Sequence, residues 1–334
     1  MTETVLSVRG LETVFEGGGG LVRAVRGVSF DVQRGEKVGI VGESGSGKSA
    51  MALSILRLIE PPGRIVGGSV ELNGRDLMTL SEREFERVRG REISLVYQDP
   101  MSALDPVKTI GSQLAETLRE HDRDLSRKAA RRAAVELLRD VEVPAPERRL
   151  DDYPHQYSGG MRQRVMIASA LANRPDVVIA DEPTTALDVT TQAQVLTLLD
   201  RLVSERGAAV LLITHNLGLV AEFCGTVRVM YAGRLVESAD TRTLFRAPAH
   251  PYSDALLRSV PRADRLERGP LQTIAGSPPN LAALGPGCSF EPRCPLGAGR
   301  ERCRGDAPDS REVGPRLAEC HYAEEQLARQ EAAA

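Results

Sequence analysis

Lys37–Ser49 reads KVGIVGESGSGKS. Val38–Val41 is a short apolar run of strand type, and Ala50–Leu56 (AMALSIL) continues as a helix. Between them, Gly42-Glu43-Ser44-Gly45-Ser46-Gly47-Lys48-Ser49 has the G-x-x-x-x-G-K-S spacing of a phosphate-binding loop, with the strand before and helix after that this motif needs. The glycines let the backbone fold round an anion with successive N–H groups pointing inward. The helix N-terminus adds partial positive charge. In such a loop Lys48 meets the β- and γ-phosphates as a point charge, and the Ser49 hydroxyl reaches Mg2+. A glycine-rich turn without a ligand is the plainer reading; the flanking strand and helix argue against it.

The rest of the chain sets the bounds. At 334 residues it is long for one compact domain and suggests two. Hydrophobic content of 41% and charged content of 27% fit an ordinary globular protein. A net charge of −3 shows no nucleic-acid footprint, so no nucleic-acid partner is expected. No apolar run approaches the ~20 residues of a membrane span; the longest, Ala208–Ile213, suits a buried strand. The opening MTETVLSVRG lacks the apolar core of a signal peptide, which predicts a cytosolic chain able to sit on a membrane through partners.

Taken in order, Val5–Phe15 and Ala24–Val32 read as strands on either side of Gly17–Gly20. Phe15, at the end of the first, is an adenine-stacking platform or an edge-strand aromatic; its position alone favours the edge. Gly68–Asn73 is a strand, and Asn73-Gly74 signals a turn. Ser81-Glu82-Arg83-Glu84 has capping-box spacing and predicts a helix start. Ile93–Tyr97 is a buried strand ending at Gln98. From about residue 99 to 175 strand signals vanish. Ser126 caps a helix over Arg127–Val141 in what reads as a helical insert in an α/β domain. Ser158-Gly159-Gly160 then opens a helix whose free backbone N–H groups suit an anion, a weak signal alone. Val177–Ala180 is an apolar strand ending in Asp181-Glu182, paired carboxylates at a strand's C-terminal edge. Two solvated carboxylates would be the plainer reading without the phosphate loop upstream. Val195–Val203 is helical and Ala208–Ile213 a strand. His215 follows that strand and is expected at the same edge as Asp181-Glu182. Val227–Tyr231 and Leu235–Glu237 predict a hairpin through Ala232-Gly233. After about Pro261, proline, glycine and cysteine rise and periodicity fades, which predicts a small loop-rich module followed by a helical or frayed tail, Ala323–Ala334.

The ordered set of phosphate loop (Gly42–Ser49), Gln98, SGGMRQR (Ser158–Arg164), Val177–Glu182, Ala186-Leu187-Asp188 and His215 resembles the ATP-binding subunits of ABC transporters. QDPMSALDP (Gln98–Pro106), HPYSDALLRSVP (His250–Pro261) and GCSFEPRCP (Gly287–Pro295) narrow the resemblance to the oligopeptide/dipeptide importer branch, which includes nickel importers. The resemblance covers nearly the whole chain. It implies an α/β fold, a P-loop NTPase nucleotide-binding domain over 1–261, with the C-terminal module over 262–334. It also implies roles. Phe15 stacks on adenine. Lys48 and the amides of Gly45–Ser49 hold the phosphates. Ser49 and Gln98 ligate Mg2+, with Asp181 close by or acting through water. Glu182 is the general base, and His215 contacts the γ-phosphate and steadies water and base. Ser158, Gly159 and Gly160 close over a partner subunit's ATP, and Asp188 bridges the subunits. Asn216 stands where the family has Asp, and Tyr157 where it has Leu before the signature serine.

The implied partners are a second ABC ATPase subunit (a homologue or a copy), two transmembrane permeases and an extracytoplasmic substrate-binding protein. The chain would lie at the cytoplasmic face of the membrane as an ATP-hydrolysing motor for di- or oligopeptides. A nickel or other small-solute importer is the alternative within the branch. A soluble ABC ATPase acting on ribosomes or DNA is the alternative outside it.

Cys288, Cys294, Cys303 and Cys320 share the last module with spacing C-x5-C-x8-C-x16-C, and Cys224 stands apart as an expected core thiol. The module has too few apolar residues to hold a core alone, so a staple is expected. A cytosolic disulfide is disfavoured. Zinc knuckles use closer cysteine pairs, and the Cys294-Pro295 step fits a four-thiolate 4Fe-4S cluster better. Zn2+ is the alternative.

Overall fold

The apolar runs become strands wherever both faces can be covered. The computed structural model describes residues 3–17, 20–185, 187–259 and 273–333. It divides into two units, one made of Met1–Leu6, Asp31–Lys37 and Glu71–Leu212, the other of Ser7–Phe30, Val38–Val70 and Ile213–Ala334.

In the first unit, β6 (Ile93–Val96) and β7 (Val177–Asp181) run parallel, with Ile93 opposite Val177 and Val96 opposite Ala180. The neighbouring β8 (Ala209–Ile213) is buried along its whole length. Continuous rather than alternating hydrophobicity is what a parallel strand covered on both faces requires. Every described element between β6 and β7 is helical. The helix Arg127–Asp140 buries Ala130, Ala134, Leu137 and Leu138, a stripe at helical spacing, and Ser126 caps it through Ala129 N–H. The capping box at Ser81 and Glu84 forms as the spacing predicts. Asn73 and Gly74, with φ of 50° and 76°, turn the chain into β5 (Arg75–Asp76), pairing Leu72 with Arg75.

In the second unit, β1 (Thr4–Gly17), β2 (Gly20–Gln33) and β4 (Gly63–Leu72) lie side by side in the order β2, β1, β4. A further sheet runs β11 (Arg311–Glu312), β12 (Arg316–Ala318), β10 (Arg234–Asp240), β9 (Thr226–Tyr231), β3 (Lys37–Val41). β3 and β9 are parallel, with Val38 opposite Thr226 and Val41 opposite Val229. The hairpin through Ala232-Gly233 joins β9 to β10 as expected.

Some elements run longer than the sequence reading. β4 begins at Gly63 rather than Gly68, because its exposed residues alternate with half-buried ones and Gly67-Gly68 carry no side chain to register the pattern. The helix expected over Val195–Val203 spans Val189–Arg206; its polar first turns are held by the Asp188 cap, not by burial. The boundary expected at 261–262 falls outside the described residues. Beyond it the chain is not all loop: β12 pairs antiparallel with β10, Glu237 opposite Ala318. Val313, Ala318, Cys320 and Ala323 cluster with Ala249, and Ala323–Ala333 is a helix. Cys224 is buried.

Candidate functional site

In the second unit, β3 delivers Gly42–Ser49 to the N-terminus of the helix Lys48–Ile55. Gly47 has φ of 106°, and a Cβ there would stand 2.2 Å from the Ala24 carbonyl oxygen, so only glycine fits. Ser46 and Lys48 are buried, while Ser44, Gly45 and Ser49 are exposed. The Lys48 ammonium donates to the carbonyls of Gly42 (2.8 Å) and Glu43 (2.9 Å) and to Ser46 Oγ (3.3 Å). A cation held on carbonyl oxygens is poised to exchange them for phosphate oxygens.

Glu43 is gripped by two residues that sequence spacing does not reveal. Its N–H donates to Tyr252 Oη at 2.8 Å. Its carboxylate takes both Arg293 nitrogens, at 2.8 and 3.0 Å. Phe15 is half-buried at the end of β1 with its ring against Gly63. His215 is exposed, just before Asn216, which caps the helix Leu217–Phe223 by accepting from Gly218 N–H (3.0 Å) and Leu219 N–H (3.4 Å). Asn and Asp both make good caps, which explains why the departure from the family's Asp leaves the local fold intact.

In the first unit, β7 ends in Asp181, and Glu182 follows with φ of 46°. A left-handed backbone at a non-glycine residue is uncommon and gathers at functional sites. The structure brings Gln98 to Glu182: Nε2 donates to Oε2 at 3.1 Å. Thr185 Oγ1 donates to the same oxygen at 2.8 Å, a contact the sequence reading missed although i to i+3 spacing could have signalled it. Ser158 caps the helix Gly159–Leu171 through Met161 N–H, with Ser158 and Gly159 exposed. Tyr157 is buried and its hydroxyl donates to the Arg149 carbonyl, so the ring fills the place of the family's leucine and keeps its polar end satisfied. Asp188 accepts from Thr191 N–H (3.0 Å) and Thr191 Oγ1 (2.7 Å), which hold its carboxyl below the usual range.

The four cysteines of the last module, spread over 33 positions of sequence from Cys288 to Cys320, line one cavity with His250, Phe290 and Leu296. A Cβ on Gly297 would meet Cys303 Sγ at 3.0 Å and Cys294 Sγ at 3.3 Å, so glycine makes room for both sulfurs. Burial pushes the Cys288 thiol up to about 11 and Cys320 up to about 12, and it raises Cys294 and Cys303. Among the described residues no group of three His, Cys, Asp or Glu side chains is arranged to hold a metal ion. The four cysteines expected to hold a 4Fe-4S cluster or Zn2+ therefore share a cavity but form no coordinating arrangement among the described residues.

A phosphate loop between strand and helix, with a carboxylate pair closing a buried parallel strand, defines the P-loop nucleotide-binding class. Residues 25–185 match the ABC transporter family, and residues 236–303 match the oligopeptide/dipeptide transporter C-terminal region. The "Probable peptide ABC transporter ATP-binding protein" of Sinorhizobium fredii is 52% identical over 94% of this chain and 93% of its own length. The oligopeptide transport ATP-binding protein OppD of Escherichia coli is 47% identical over 97% of this chain and 95% of its own. Among solved structures, a dimeric ATP-binding cassette in a post-hydrolysis state, bound to ADP and Pi, aligns with a TM-score of 0.64 at 30% identity, covering 71% of this chain and 99% of that one. The chain belongs to the ATP-binding proteins of the ABC transporters, and it carries the C-terminal region of the oligopeptide/dipeptide branch. It is an ABC-type ATPase. No helix among the described residues is long and apolar enough to cross a membrane.

Proposed function

We propose that this chain is the ATP-hydrolysing motor of a di- or oligopeptide importer, peripheral at the cytoplasmic face of the membrane. The observation that carries the chemistry is the Gln98–Glu182 hydrogen bond beside Thr185, which fixes the carboxylate expected to act as base. Phosphoryl transfer needs mainly positioning and charge stabilisation. On this reading Phe15 carries the adenine, and Lys48 with the loop amides carries the phosphates. Glu182 takes the proton of the attacking water, and His215 steadies that water and the γ-phosphate. Ser49, Gln98 and Asp181 have the oxygen donors that Mg2+ prefers, and the ion when bound would neutralise phosphate charge. Ser158, Gly159 and Gly160 act on the ATP of a second ATPase subunit, a homologue or a copy, and Asp188 bridges the pair.

Two permeases and an extracytoplasmic binding protein complete the assembly. Peptide as cargo rests on the C-terminal match and on the names of the relatives. The test is the ATPase activity of the assembled complex in proteoliposomes. Stimulation by peptide-loaded binding protein is expected; stimulation by nickel alone would select the branch's other cargo, and full activity without any membrane subunit would overturn the reading.

The four cysteines are proposed to hold a 4Fe-4S cluster with a structural role. The convergence of all four cysteines on one cavity supports it. Anaerobically purified protein is expected to be brown with about four iron atoms per chain. One zinc per chain in colourless protein would select the alternative, and metal-free, fully folded protein would defeat both.

A further inference from the structure

Glu43 lies within the phosphate loop, one residue after Gly42, where a carboxylate is costly. A negative side chain beside a bound triphosphate repels it, and partial burial weakens the screening that water would supply. Every polar part of Glu43 has a specific partner in the second unit. The N–H is taken by Tyr252 Oη at 2.8 Å, and the carbonyl by Lys48 Nζ at 2.9 Å. The carboxylate is taken by Arg293 in a two-pronged pair at 2.8 and 3.0 Å. The Arg293 side chain is only 5% exposed, and that of Glu43 23%. This is a substantially desolvated, bidentate pair rather than a surface contact.

Both partners are themselves fixed. Arg293 Nε donates to the Ala275 carbonyl at 2.7 Å, and the guanidinium lies 5.9 Å from the ring centres of Tyr231 and Phe290. Tyr252 is fully buried, with ring centres 4.4 Å from Tyr231 and 5.4 Å from Phe290. Its helix, Pro251–Arg258, is anchored at the start. His250 Nδ1 accepts from Tyr252 N–H, and the buried Glu237 carboxylate accepts from Ala249 and His250 N–H at 2.7 and 2.9 Å. The aromatic cluster and the arginine therefore present a rigid surface to the first turn of the loop.

We propose that Arg293 and Tyr252 are positioning residues for ATP: Arg293 cancels the charge of Glu43, and Tyr252 pins its backbone. The HPY stretch and the segment before Cys294 then set the affinity of a loop more than 200 residues away. The proposal rests on the ATP-site reading and adds to it a source of affinity outside the loop.

ATP affinity of the full chain, measured by fluorescent-nucleotide binding, tests it. Arg293→Gln is expected to weaken ATP by roughly tenfold or more, because it leaves an unpaired carboxylate within the phosphate loop. The loss should be smaller for AMP, which brings less charge. Glu43→Gln added to Arg293→Gln should recover most of the affinity, since nothing is left to neutralise. A purely structural role for Arg293 would leave the double variant as weak as the single one. Arg293→Lys keeps the charge without the fork and should fall between wild type and Arg293→Gln; it also serves if the glutamine variant does not fold. Tyr252→Phe keeps the ring packing and should cost a few-fold. Unchanged ATP affinity in Arg293→Gln, or no recovery in the double variant, would overturn the proposal. Lys48→Ala separates the two levels: if it loses ATP while Arg293→Gln does not, only the positioning idea fails. If Lys48→Ala also binds normally, the loop itself is not the site.

Discussion

At the residue scale the proposed chemistry turns on Glu182. Its left-handed backbone turns the chain directly after β7, and Gln98 and Thr185 share one carboxylate oxygen. Glu182→Gln preserves the shape while removing the proposed base. ATP should still bind, and turnover should fall by about 10²–10⁴-fold, the usual contribution of a positioned general base. Equilibrium binding beside steady-state hydrolysis checks this, and near-normal turnover would sink the assignment. Gln98 and Glu182 were each legible as motif residues, Gln98 as an expected Mg2+ ligand, but their hydrogen bond to one another was not. The Thr185 contact follows i to i+3 spacing but carries no motif of its own.

Capping decides much at the scale of elements. Asn216 holds two N–H groups at the start of a seven-residue helix directly after His215. Asn216→Ala should cost about 1 kcal/mol of stability, and Asn216→Asp close to nothing, as both native-type side chains accept at the cap. Urea denaturation of the two variants distinguishes them; equal losses would mean that the cap is not what Asn216 supplies.

The helix that carries Tyr252 has a pH-dependent cap. Burial pushes His250 down to about 3 from an ordinary 6.5, so the fold keeps it neutral. As pH falls below 6.5 the unfolded chain takes up that proton first, and native stability drops by up to about 1.4 kcal/mol per pH unit toward pH 3. Burial raises Glu237, which works in the opposite direction in wild type and variant alike. His250→Asn keeps a cap acceptor, so its stability gap to wild type should shrink on going from pH 7 to pH 5. Parallel stability curves would refute the assignment.

On the scale of the whole molecule, the exposed Ser158-Gly159 turn and the exposed Asp188 leave each side chain satisfied locally and its outer face open. That is the arrangement expected of groups meant for another subunit's nucleotide. Ser158→Arg should leave ATP binding by this chain unchanged while lowering hydrolysis in the assembled complex, because on the proposed reading the cation would occupy the space of a partner subunit's γ-phosphate. Unchanged activity of a complex that contains the variant would refute a shared site.

Sequence alone determined the phosphate loop, the caps at Ser81 and Ser126, the turns at Asn73-Gly74 and Ala232-Gly233, and the buried parallel strands. Each of these is encoded by the identity and spacing of residues within one or two turns of each other, so the signal is local. Tertiary structure decided what grips the loop and where the last module belongs. Tyr252 and Arg293 lie 209 and 250 positions from Glu43. β12 finds β10 across some eighty residues, through backbone hydrogen bonds to which its short, half-polar sequence contributes no periodicity. Neither pairing has a local pattern, because hydrogen bonds and charge recognise proximity in space, and only the folded sheet supplies it.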